Sequence, residues 1–313
     1  MAESSDAERS TGSVELTAVI VAVTAEEPRV LTIQDGRALP SGPLESAHRT
    51  LHMGLRSWVE RQTHYPLGHV EQLYTFADRD RTEDGAPGRV VSISYLGLAR
   101  EAPASGEQDP GWRSWYRYLP WEDWRAGPSE LVAAAIRPRL RAWVAAAPDA
   151  ALRRARAQRV GVSFGGDDHG WNEELVLQRY ELLYEAGLVP EAARQRPTAD
   201  PMSGAPMMHD HRRILATGIA RLRAKIKYRP LVFELMPPSF TLLQLQRTVE
   251  ALAGRRLHKQ NFRRLIDHQG LVEETGEVST ETGGRPAKLV RFRRELVQER
   301  AVIGTKLPLA RPA

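Results

Sequence analysis

The chain has 313 residues, room for two domains at about 100–200 residues each, and carries 44 Lys and Arg against 39 Asp and Glu, a formal net charge of +5. It contains no cysteine, which excludes disulfides, thiolate metal sites and cysteine nucleophiles and fits a reducing cytoplasm. Residues 1–13 are polar and acidic without an apolar h-region, and no segment approaches the roughly 18 continuous apolar residues of a membrane span, so neither export nor insertion is expected.

From the amino terminus, Val14 to Val23 (VELTAVIVAV) is nearly continuous aliphatic sequence and predicts a strand. A turn at Glu26-Glu27-Pro28 leads to a second strand, Arg29 to Gln34. Pro43 to Gln62 reads as a helix, and Val70 to Phe76 with Arg89 to Leu96 as a strand pair around the charged loop Asp78 to Gly88. Strands surrounding one amphipathic helix predict a mixed α/β domain. Glu101 to Arg125 holds Trp112, Trp115, Trp121 and Trp124, which fit buried core better than a platform for adenine stacking. Leu131 to Arg159 is Ala/Arg-rich and helical in propensity, and Glu173 to Ala193 reads as a further helix. Gly165 to Gly170 reads as a polar turn, since its two carboxylates and one imidazole match no metal-ligand spacing.

A helix is expected over 207–228, with Asp210 against its dipole, Ile214, Leu215, Ile219, Leu222 and Ile226 on one side and several Arg and Lys on the others. Thr241 and Gln244 form a capping box for a helix running to Gly254. After a short turn, Phe262, Leu265 and Ile266 give the buried stripe of a second helix. Its other side carries Lys259, Gln260, Arg263 and Arg264, residue types that bind base edges and phosphates. A polar tip, Glu273 to Gly284, and a strand, Lys288 to Phe292, complete a hairpin bearing Arg285 and Lys288. Helix, turn, helix and hairpin in this order predict a winged helix-turn-helix that binds double-stranded DNA. Charge partition agrees: from His209 to Arg294 there are 18 Lys and Arg against 8 Asp and Glu, so the remainder of the chain is net negative.

Several stretches together resemble the Nudix-related transcriptional regulators of NAD metabolism, the NrtR family: EQLYTFADRDR (Glu71 to Arg81), GRVVSISYLGLA (Gly88 to Ala99), RLRAKIKYRPLVFELMP (Arg221 to Pro237), FTLLQLQ (Phe240 to Gln246), KQNFRRLI (Lys259 to Ile266) and GGRPAKLVRF (Gly283 to Phe292). The resemblance covers roughly residues 14–125 and 207–294. It implies an α+β protein, a Nudix-like α/β/α sandwich over 14–125, a helical insertion over 126–206, a linker helix over 207–228 and a winged helix over 229–296, between tails 1–13 and 297–313.

The resemblance also supplies a test, because a hydrolytic Nudix domain carries the box G-x5-E-x7-R-E-U-x-E-E-x-G-U, whose glutamates hold Mg²⁺. Laid on Gly42, the box places His48 at the first glutamate, keeps Arg56 and Glu60, and puts Ser57 and Arg61 at two further glutamates and Thr63 at the glycine. A guanidinium where a metal carboxylate belongs repels the cation. The expectation is therefore a non-enzymatic domain without cofactor or metal, and the resemblance implies that it is a sensor with ADP-ribose or a related NAD-derived nucleotide as its effector. Arg56, Glu60, Arg79 and Arg81 are its candidate contacts. As the family resemblance implies, the whole reads as a cytoplasmic homodimeric repressor of NAD-biosynthesis or salvage genes. The alternative is a Nudix-type hydrolase of ADP-ribose or another nucleoside diphosphate derivative.

Overall fold

Strand β1 (Ser13–Thr24) pairs in parallel with a later strand on one edge and antiparallel with two on the other. It is the centre of a mixed sheet completed by β2 (Glu27–Leu31), β3 (Ser41–Pro43), β4 (Val70–Phe76), β5 (Val90–Leu98) and β6 (Trp112–Ser114). The order is β4-β5-β1-β2-β6, with β3 also beside β1. The computed structural model describes residues 13–68, 70–77, 90–101, 111–165, 170–194, 204–279, 286–293 and 295. The unbroken aliphatic run of β1 follows from burial on both faces. Leu16, Ala18, Ile20 and Ala22 pack toward Leu55 and Val59 of α1 (Leu51–Thr63), while Val19 and Val21 belong to the core on the opposite side.

Helix α1 starts eight residues later than Pro43, where the sequence pattern places it. Ser41–Pro43 is instead a strand on Glu15 to Thr17, extended by the Leu44 N–H donating to the Val14 carbonyl at 2.8 Å. Thr50 is the cap, its hydroxyl accepting from the Met53 N–H at 3.1 Å.

The helical region 131–159 is also interrupted. A π-helical stretch, Leu131–Ile136, runs into α2 (Arg137–Ala145) beside Pro138, which has no N–H to donate. Asp149 then caps a separate α3 (Ala150–Phe164) by accepting from the Leu152 N–H. The next helix, α4 (Val176–Glu185), is shorter than the expected span and ends before Gly187, at φ 73°.

The layer opposite α1 is α5 (His211–Lys225), the expected linker helix, lying directly on the sheet. At Gly218 the helix meets Val19 so closely that a Cβ would stand 2.9 Å from its Cγ1. Helix α4 packs alongside α5. Several Arg and Lys of α5 lie on its outer faces, but Arg212 and Arg223 are fully buried. Asp210 stands at the N-cap but bonds Arg213 at 3.1 Å, with no cap bond to the helix N–H groups. His211 is buried, and its Nδ1 accepts from the Leu39 N–H at 3.0 Å. Trp112, Trp115 and Trp121 are buried, and Trp124 stacks on Trp171 with centroids 4.1 Å apart.

The carboxy-terminal unit comprises β7 (Phe240–Thr241), α6 (Leu242–Ala253), α7 (Lys259–Gln269), β8 (Val272–Ser279) and β9 (Ala287–Phe292), with strand order β7-β9-β8. Both halves of the Thr241–Gln244 capping box form. Strand β8 continues to Ser279, through much of the expected polar tip.

Helix α6 leaves its last carbonyls without intrahelical partners, and groups from elsewhere in the chain satisfy them. The Tyr116 hydroxyl donates to Ala251 O at 2.7 Å, Arg223 Nε to Leu252 O at 2.8 Å, and the Trp124 N–H to Gly254 O at 2.7 Å. Arg223 is held in turn by Glu122, which also takes both Arg179 Nε and Nη2, all three side chains fully buried. Gly254, at φ 72°, permits this approach, because a Cβ there would lie 2.4 Å from Glu122 O. Removing one partner of such a cluster strands buried charge. Glu122→Ala is expected to lower unfolding free energy by about 3–5 kcal/mol in denaturant titration. Arg159→Ala, in the half-exposed pair with Glu185, should change it by under about 1 kcal/mol.

Candidate functional site

Helix α7 turns Phe262 and Ile266 into the core and leaves Lys259, Gln260, Arg263 and Arg264 exposed on one continuous surface. Among the described residues Lys259, Arg263 and Arg264 make no ion pair. Leu265 departs from the expected buried stripe: it shares the side of Phe262 and Ile266 but is 53 % exposed, because nothing in the described chain covers that edge.

The wing differs in charge from α7. Lys288 pairs with Glu274 at 2.8 Å, Arg291 with Glu273 at 2.6 Å, and Arg293 approaches Glu273 at 3.7 Å. Arg285 lies outside the described residues. The described wing cations are therefore neutralised locally, while those of α7 face solvent without an ion pair among the described residues. That arrangement suits a helix that meets phosphates and base edges.

The turn between α6 and α7 is fixed by Glu250, whose buried carboxylate accepts from the Leu257 N–H at 2.9 Å, Gln246 at 2.8 Å and Arg256 at 2.8 Å. Burial alone would push this carboxyl up, but these bonds outweigh it and hold it below the usual carboxylate range. Glu26, in the β1–β2 turn, reaches Arg247 and Arg256 at 3.7 and 3.8 Å, a second link between the two units.

In the amino-terminal unit, Gly42 lies under the Trp58 ring, where a Cβ would come within 2.2 Å. Arg56 donates to Leu67 O and, at 2.7 Å, to Gly68 O, so it ties the segment after α1 back onto the helix. Glu60 is exposed on the same helix. Arg61 bonds Ser57 at 2.9 Å and lies 4.3 Å from the Trp58 ring centroid, so two of the three box positions that depart from glutamate are joined to each other. Arg79 and Arg81 lie outside the described residues. Among the described residues no three His, Asp or Glu side chains cluster in a way that could hold a metal ion, and no helix is long and apolar enough to cross a membrane.

Residues 232–292 match the NrtR DNA-binding winged helix domain. The chain carries an NrtR-type winged helix. A curated relative, the "ADPR responsive transcriptional repressor NtrR" of Acinetobacter baylyi, is 46% identical over 83 residues, which are 26% of this chain and 33% of that protein. The chain thus spans about a third of the length of the curated relative it matches. Among solved structures, Shewanella oneidensis NrtR complexed with a 27mer DNA aligns over 91% of this chain and 95% of its own, at 18% identity and a TM-score of 0.50. A MutT/nudix family protein from Enterococcus faecalis aligns over 90% and 87%, at 16% identity and a TM-score of 0.52. These likenesses establish the fold, a Nudix-like α/β/α unit followed by the NrtR-type winged helix.

The sequence reading missed Glu122, Tyr116, Trp124 and Arg223 as the joint between the units. One signal was present: Arg212 and Arg223 fall within the apolar stripe of α5, at helical spacing from Leu215, Ile219 and Ile226. A cation on a buried stripe calls for a buried partner.

Because the folded Glu250 carboxyl titrates below its unfolded value, its stabilisation is present above the unfolded value and is lost as pH falls through the folded one. Glu250→Gln should cost about 1–3 kcal/mol at neutral pH. The difference in melting temperature between wild type and variant should then shrink as pH drops below about 4.3, in a thermal-melt series from neutral to acid.

Proposed function

We propose that this protein is a DNA-binding transcriptional repressor of NAD-biosynthesis or salvage genes. Its Nudix-like unit senses ADP-ribose or a related NAD-derived nucleotide without hydrolysing it. The observation that carries the DNA reading is α7, exposed and cationic without ion pairs among the described residues, within a winged helix of the NrtR type. The effector reading is supported by the printed function of the Acinetobacter baylyi relative, an ADPR-responsive repressor. The absence of hydrolysis is supported by Ser57 and Arg61 standing where the Nudix box has glutamates.

In this reading the protein works in the cytoplasm as a homodimer, with Lys259, Gln260, Arg263 and Arg264 on DNA and Arg285 and Lys288 on the flanking backbone. Arg56, Glu60, Arg79 and Arg81 border the effector. ADP-ribose changes DNA affinity only in so far as it binds one arrangement of the two units better than another. The joint at the end of α6, where Tyr116, Trp124 and Arg223 hold the winged helix, is the route by which the sensor reaches the reader.

The test is a mobility-shift titration on DNA upstream of the protein's own operon, with excess competitor DNA, with and without ADP-ribose. A specific shift altered by ADP-ribose is expected, and ADP-ribose incubated with the protein and Mg²⁺ should be recovered intact. Binding no tighter than to competitor would remove the regulator reading, and turnover of ADP-ribose would establish the hydrolase in its place. Arg264→Ala should weaken specific binding by about 1–3 kcal/mol with the circular-dichroism spectrum unchanged. An unchanged affinity at physiological salt would take that residue out of the interface.

A further inference from the structure

The edge of α7 that Leu265 leaves uncovered is one wall of a cavity of about 820 Å³ between the winged helix and the segment that follows α5. Ile226, Val232, Leu245, Val249, Phe262 and Leu265 supply apolar walls. A size of about 300–1,000 Å³ with mostly apolar walls and a few placed polar groups is that of a small-molecule site. The charged groups around it are Arg223, Lys227, Arg229 and Arg255 against Glu173 alone. Arg223 is engaged in the buried cluster, and Lys227 and Arg255 face Glu173 at 2.8 and 3.7 Å. Arg229 is exposed and forms no ion pair among the described residues, next to Tyr228, which is 83 % exposed. The cationic surplus thus borders an open cavity with apolar walls, which complements an amphipathic anion.

We propose that this cavity is a binding site for a carboxylic acid with an apolar chain, the chain lying against Leu265, Phe262 and Val249 and the carboxylate on Arg229. A nucleotide fits it poorly, because a ribose and a pyrophosphate would leave many polar groups against aliphatic walls. The site is separate from the box helix and stands whether or not the protein binds DNA.

The test is isothermal titration of the full-length chain with decanoate below its micelle concentration, with 1-decanol as the uncharged counterpart. One saturable site per chain is expected, weakened about tenfold or more in Arg229→Gln, in Leu265→Gln and for 1-decanol. Both substitutions fall on exposed side chains, and melting curves confirm that the variants fold. Absence of decanoate binding to the intact chain, or binding equally tight in both variants, overturns the proposal. Decanoate binding that emerges only when the chain is ended at Glu295 would assign the cavity to residues 296–313. A Leu265→Gln variant that loses self-association while decanoate does not bind would assign it to a second copy; either result overturns the proposal.

Discussion

An α-helix that ends inside a protein leaves carbonyl groups that must find donors. In this chain the end of α6 finds them in two segments distant from it in sequence, one holding Tyr116 and Trp124 and the other Arg223. The way the two units join follows from that requirement. Arg223 can reach Leu252 O only with its charge out of water, so it needs Glu122. Glu122 in turn binds Arg179, which donates on to Ser163 O and Asn172 O. The helical region between the two units, which the sequence pattern left without a role, is therefore where the second arginine comes from. Sheet, insertion, α5 and winged helix share one continuous apolar core around this cluster.

The cluster also bears on how a signal could pass. A fully buried arrangement of two guanidiniums and one carboxylate has few alternative geometries of similar energy, since each broken bond strands a charge. Such an element transmits displacement as a unit and does not absorb it. The softer contacts lie at the periphery, where Glu26 meets Arg247 and Arg256 at longer range. A displacement in the amino-terminal unit would thus be taken up there first, while the end of α6 moves with Glu122 and α5.

Much of this architecture could be read from local pattern. The winged helix was legible because its signals are short-range: a capping box, glycines at the ends of α6 and α7 in left-handed geometry, and an apolar stripe at helical spacing. Strand β1 was legible as a continuous aliphatic run. The start of α1 was not, because Ser41–Pro43 becomes a strand through pairing with Glu15 to Thr17, a contact that local sequence does not encode. Leu265 illustrates the opposite failure: its periodicity was read correctly, but periodicity reports which side of a helix a residue occupies and not whether anything covers that side. At the candidate site, exposure and pairing separated residues that composition treats alike. The cations of α7 stand unpaired among the described residues, whereas Lys288 and Arg291 of the wing meet glutamates.

The way α6 ends also limits how far the reader can be treated as a portable part. The segment matched as a winged helix, 232–292, contains α6 but not one of the three donors that close its carboxyl end. A fragment excised along those boundaries would offer Ala251, Leu252 and Gly254 carbonyls to solvent and bare the surface of α6 that packs on β1, β2 and α5. Homology marks the reader as a unit of descent, while its hydrogen bonds make it a dependent part of a larger folding unit.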